Sequence, residues 1–175
     1  MQCHNIANNP QALVREAFEE IFGVTSDEDY ALLDPPPRSV IKLYESDESG
    51  PGPDPKDLHI DMRSPISTAW NQEVVNYLLD AVLEKIDKDD KWSFLPERSD
   101  AYFAELIEDK MKRAKTNWMN AQQKFNEDGE KETIEEVEER MVTTKDEKGK
   151  IGRAYTRRQS VRFIHSVHDI NLHQW

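Results

Sequence analysis

Three histidines near the C-terminus, His165, His168 and His173, are the first residues whose spacing could carry chemistry. His165 and His168, at i and i+3, share one face of a helix, so two imidazoles could meet one zinc ion. A third ligand would then come from His173, Asp169 or the distant Cys3 and His4. With no paired-cysteine motif, surface histidines are the better reading, and no metal ligand is assigned. Asp87, Asp89 and Asp90 invite a calcium loop, but the register fails: Lys91 stands fifth, Trp92 falls where the turn needs glycine, and Arg98 where a bidentate glutamate belongs. A polar, helix-terminating turn explains these acids better. No serine sits in a Gly-x-Ser-x-Gly elbow, and the six glycines include no phosphate-cradling run. No catalytic residue and no cofactor is assigned, and the chain reads as non-enzymatic.

The remaining constellation is basic. Arg153, Arg157 and Arg158 fall within a turn and a half of helix with Tyr155 between them, and Arg162 lies one turn further. Guanidinium groups so arrayed can grip phosphates or a partner's acids, and Tyr155 can stack. Two other roles compete: pairing with the acidic run Glu132, Glu135, Glu136, Glu138 and Glu139, or keeping an exposed face wet. Arg157-Arg158-Gln159-Ser160 also has the form of a basophilic kinase site, where a phosphate would add roughly −2 beside the arginines.

The charge balance frames these options. Net charge is −12, with 35 acidic against 23 basic side chains. That argues against general binding to nucleic acid or anionic membrane. Residues 145–162 nevertheless hold seven basic and two acidic residues, a local +5 that leaves −17 on the remainder. Such asymmetry implies an internal acid–base contact or a basic patch on an acidic body. The single cysteine, Cys3, excludes an internal disulfide framework and fits a reducing compartment. No basic-then-apolar leader follows Met1, and no apolar run approaches the length of a membrane span, so a cytoplasmic or nuclear location is expected.

The elements that must position these residues are mainly helical. Tyr102, Phe103, Leu106, Ile107, Met111, Ala114, Trp118, Ala121 and Phe125 step by threes and fours, which predicts a helix over roughly 100–125. At about 1.5 Å per residue it would span roughly 37 Å. Ile66, Ala69, Trp70, Val74, Tyr77, Leu78, Ala81, Val82 and Ile86 predict a second over 66–86, started by Ser64-Pro65. The two should pack antiparallel, turned by a Trp92-Phe94-Leu95 corner. Asn9-Pro10 opens a helix near 10–22 and Gly23 stops it. Thr25-Ser26-Asp27-Glu28 and Thr133…Glu136 read as capping boxes, and a last helix is expected from about Ala154.

Between the first two helices, Ser39–Glu45 and Leu58-His59-Ile60-Asp61-Met62 read as two short strands. The acidic Pro/Gly-rich stretch 46–57 would join them as a mobile loop. The expected architecture is one domain, 1–175, of four to five bundled helices carrying a small two-stranded β element. Loss of either Trp70 or Trp118 to alanine should cost about 3–5 kcal/mol.

At Thr133-Ile-Glu-Glu-Val-Glu-Glu-Arg-Met141 and Tyr155-Thr-Arg-Arg-Gln-Ser-Val-Arg162 the chain resembles an uncharacterised family of fungal (mushroom-type) helical proteins. Asp54 to Met62, Trp70-Asn71 and Arg98-Ser99-Asp100 agree with it, so the resemblance covers Asp54 onward. The arginines are sparser here than in that family. The family has no assigned activity, and the resemblance implies a fungal, intracellular, mainly helical protein.

Two functions are therefore expected. The first is a non-catalytic helical interaction module that binds a partner protein, a second copy of the chain included. The alternative is a nucleic-acid-binding accessory protein that contacts phosphates through Arg153, Arg157, Arg158 and Arg162, with Tyr155 stacking.

Overall fold

The computed structural model describes residues 9–47, 50–125 and 128–147. They fall into two compact units, 1–120 and 121–175. The first unit holds α1 (Pro10–Phe22), α2 (Arg38–Asp47), α3 (Ala69–Lys88) and α4 (Asp100–Ala121), with 3-10 turns at Asp29–Leu32 and Asp90–Trp92.

Both ends of α1 follow from local chemistry. The Asn9 carboxamide accepts the Gln11 amide at 2.9 Å, Pro10 occupies the first turn, and Gly23 closes the helix at φ 68°. Leu13, Val14, Ala17 and Phe18 are its buried stripe. On α3 the buried residues are Trp70, Asn71, Val74, Val75, Leu78 and Val82, and on α4 they are Phe103, Ile107, Met111 and Ala114. All the apolar members join one core, to which Ile41, Leu58, Ile60, Met62 and Ile66 also contribute. α1 and α2 both pack on α3. Lys85 of α3 reaches Glu16 and Glu20 of α1 at 3.5 and 2.5 Å, and Gln72 of α3 reaches Glu108 of α4 at 3.3 Å.

The predicted β element is corrected: among the described residues there is no strand, and the only bridges are the isolated pairs Asp54–Asp57 and Phe125–Lys131. Residues 38–47 form α2 instead. Val40, Ile41 and Tyr44 lie at helical spacing, and the Pro37 carbonyl accepts the Val40 and Ile41 amides to start the first turn. Tyr44 turns its ring edge to Trp70, with centroids 5.8 Å apart. The second predicted strand is extended chain with Leu58, Ile60 and Met62 buried, but side chains of α3 satisfy its backbone. Trp70 Nε1 donates to the His59 carbonyl at 3.0 Å, and Asn71 bonds both polar groups of the Asp61 backbone. A ladder partner is thereby replaced by one helix face. Gly50 and Gly52 run close against α2, where a Cβ on Gly50 would lie 2.8 Å from the Tyr44 backbone nitrogen.

Two boundaries and one corner residue also differ. α3 begins at Ala69 rather than 66, because the Pro65 carbonyl is taken by the Thr68 amide and hydroxyl and by Asn71. α4 stops at Ala121, leaving Phe125 71% exposed. At the bend between α3 and α4, Trp92 is buried and Leu95 half-buried, but Phe94 is 75% exposed.

The capping box expected at Thr25 is centred on Asp29 instead. Its Oδ2 accepts the Ser26 amide (2.7 Å), the Thr25 amide (2.8 Å) and the Thr25 hydroxyl (2.9 Å). These bonds, those from the Ser26 and Thr25 amides foremost, hold the carboxyl below its usual range. A carboxyl depressed on folding stabilises above its unfolded pKa, about 3.9, and loses that contribution as pH falls through the lower folded value. In thermal melts from pH 6 to 2, Asp29→Asn should therefore lower the midpoint at pH 6 and show a shallower decline below about pH 4 than the parent.

In the second unit, Phe125 bridges to Lys131, Gly129 stands at φ 81°, and 134–147 form α5. Here the capping box holds: the Thr133 amide donates to Glu136 Oε2 at 2.7 Å, and the Glu136 amide to Thr133 Oγ1 at 3.2 Å. Arg140 donates to Glu132 at 2.8–2.9 Å, which, with the Lys124 amide, holds that carboxyl below its usual range.

Candidate functional site

Arg153, Tyr155, Arg157, Arg158 and Arg162 lie outside the described residues, as do Cys3, His4 and the three C-terminal histidines. Of the acids proposed to pair with the arginines, Glu132 is engaged by Arg140 and Glu136 by the α5 cap. Asp89 accepts the Lys91 amide at 2.9 Å and so caps the 3-10 turn at the bend.

The described residues place a different cationic site on the first unit. α1 contributes Gln11, Val14 and Arg15, at i, i+3 and i+4. α4 contributes Leu106, Asp109, Lys110 and Arg113, at i, i+3, i+4 and i+7. Each set is one helix face, and together they line a recess of about 90 Å³. Val14 is buried and Leu106 half-buried, so the recess has an apolar floor and a polar rim.

The charges on that rim are not balanced. Asp109 is turned to Lys112 at 3.1 Å, and Lys110 meets Asp27 at 3.3 Å while its ammonium lies 5.2 Å from the Tyr30 ring centroid. Arg15 and Arg113 are exposed and make no hydrogen bond or ion pair among the described residues. Tyr30 is buried and its hydroxyl has no hydrogen-bond partner among the described residues. Burial first, then Asp27, pushes that hydroxyl's pKa up, with Arg15 acting in the opposite sense.

A second depression, between 66–67 and α4, also carries two lysines, yet both are engaged. Lys112 sits 3.6 Å from Glu108, and Lys115 donates to the Ser64 carbonyl at 2.6 Å. Among the described residues, the α1–α4 recess combines guanidinium groups left free with a concave floor. Sequence spacing offered no route to it. Arg15 and Arg113 each look like an ordinary residue on the wet face of an amphipathic helix, and their convergence depends on how α1 meets α4.

No helix among the described residues is long and apolar enough to cross a membrane. The chain matches no protein family, no curated protein and no solved structure.

Proposed function

We propose that this chain is a non-catalytic helical interaction module, working inside the cell, that holds a partner protein through an acidic segment. One observation carries the reading: in an acidic protein, Arg15 and Arg113 flank a concave recess with no acidic partner of their own among the described residues. Free guanidinium groups favour a carboxylate or phosphate that can accept two bonds at once. The volume narrows the class further. A recess of about 90 Å³ is far below the roughly 300–1,000 Å³ of small-molecule sites, so it suits one side-chain group of a partner better than a whole metabolite. Arg153, Arg157, Arg158 and Arg162 would supply the partner with further positive charge.

The test is binding of a fluorescent glutamate-rich dodecapeptide, followed by anisotropy at low salt. The parent should bind, binding should weaken as salt rises, and the double variant Arg15→Ala/Arg113→Ala should lose about tenfold or more in affinity. Unchanged affinity in that variant, or no binding by the parent, defeats the reading. A nucleic-acid function rests on the +5 of residues 145–162. It would be favoured instead by a salt-sensitive shift on duplex DNA or RNA that vanishes in Arg157→Ala/Arg158→Ala.

A further inference from the structure

We infer that the group taken by the α1–α4 recess is a phosphorylated side chain of the partner; this rests on the interaction-module reading and specifies its ligand. Three cations, Arg15, Lys110 and Arg113, line the recess with a single acid, Asp109, which is already paired with Lys112. The surplus on the rim is thus two positive charges. A glutamate or aspartate would neutralise one of them, whereas a phosphoryl group carries about −1.5 to −2 at neutral pH. Its oxygens also outnumber those of a carboxylate, so two guanidinium groups and an ammonium can bond it together. Gln11, on the α1 rim, adds a neutral amide donor.

Lys110 is already poised over the recess. Its partner Asp27 has a side chain 62% exposed and 3.3 Å away, so the ammonium can turn from a solvated carboxylate to a dianion at little cost. The size of the recess admits one tetrahedral oxyanion. A nucleic acid would instead need a track of phosphate contacts along the surface; on α1 Glu16 and Glu19 follow Arg15, and on α4 the lysines next to Arg113 are already engaged, Lys112 by Glu108 and Asp109 and Lys115 by the Ser64 carbonyl.

The experiment is an NMR titration of the full chain labelled with nitrogen-15, following backbone amides and arginine Nε–Hε signals. Its probes are an alanine- and glycine-based nonapeptide with one central phosphoserine, the same peptide with glutamate there, and the same with serine. The phosphopeptide should shift the Arg15 and Arg113 Nε–Hε signals saturably and bind about tenfold tighter than the glutamate peptide. The serine peptide should leave those signals unmoved, and inorganic phosphate should compete. Arg15→Ala/Arg113→Ala should abolish the phosphopeptide shifts, with an unchanged melting curve confirming the fold. Equal affinity for the phosphoserine and glutamate peptides overturns the phosphate assignment and leaves the acidic-segment reading standing. No shift with either peptide overturns both. A single-stranded oligonucleotide that moves the same signals at lower concentration than the phosphopeptide overturns the protein-ligand assignment.

Discussion

Replacing Trp70 with alanine should destabilise the fold by about 3–5 kcal/mol, seen as a lower urea midpoint at nearly unchanged slope. Trp70 is 4% exposed and serves three parts of the chain at once. Its indole fills the core from α3, its ring meets the Tyr44 edge on α2, and its Nε1 holds the His59 carbonyl of the extended segment. Truncation leaves a cavity that α2 and residues 58–62 cannot both collapse into, because each is tied elsewhere. Trp70→Phe keeps most of the packing and loses the hydrogen bond, so it should cost only about 1–2 kcal/mol. Trp118→Ala, expected from spacing to rank equally, should cost less, about 1–3 kcal/mol. Trp118 is half-buried near the end of α4, where its Nε1 donates to the Leu33 carbonyl at 3.0 Å. A Trp70→Ala melt that overlays the parent would remove Trp70 from the core.

The contrast between the two tryptophans shows what periodicity does and does not encode. Spacing places both on the apolar stripe of a long helix, and the stripes of α1, α3 and α4 are indeed the buried faces. Caps are equally legible, because Asn9-Pro10, Gly23 and Thr133…Glu136 act through neighbours within a few residues. The extent of burial is not legible, since it depends on which element covers the far end of the stripe. Ser39–Glu45 was ambiguous for a related reason. Val40, Ile41, Leu43 and Tyr44 satisfy a short strand as well as a helix, and nothing local says that Pro37 begins a turn instead of ending an extended run. For residues 58–62 the alternating Leu58, Ile60 and Met62 are buried, but so is Asp61 between them. The partner was missed, because alternation implies a neighbouring strand and this chain uses side chains from a helix. Arg15 and Arg113 carried no signal at all: a free charge in a recess and a free charge on open surface have the same sequence.

The partner that sequence patterning missed yields the second large expectation. Asn71→Leu should destabilise the fold by about 3–5 kcal/mol, although leucine is similar in size and favours helices more. Asn71 is fully buried in α3. Its Oδ1 accepts the Asp61 amide at 3.0 Å, and its Nδ2 donates to the Asp61 and Pro65 carbonyls at 3.1 and 3.0 Å. Asp61 is itself buried, and its own carboxylate accepts the Arg63 amide at 3.1 Å. One carboxamide therefore does for this segment what a row of ladder bonds would do in a sheet. Leucine would leave the Asp61 amide and carbonyl without their partner, each costing about 1–3 kcal/mol where water cannot reach, while the Pro65 carbonyl keeps the Thr68 amide and hydroxyl. Those two losses account for the expected total. Asn71→Ala should be milder than Asn71→Leu, because the smaller side chain leaves room for a water to bridge the same groups. That ordering separates the hydrogen-bond account from a packing account. If lost volume were the cause, alanine would be the worse replacement and leucine nearly silent.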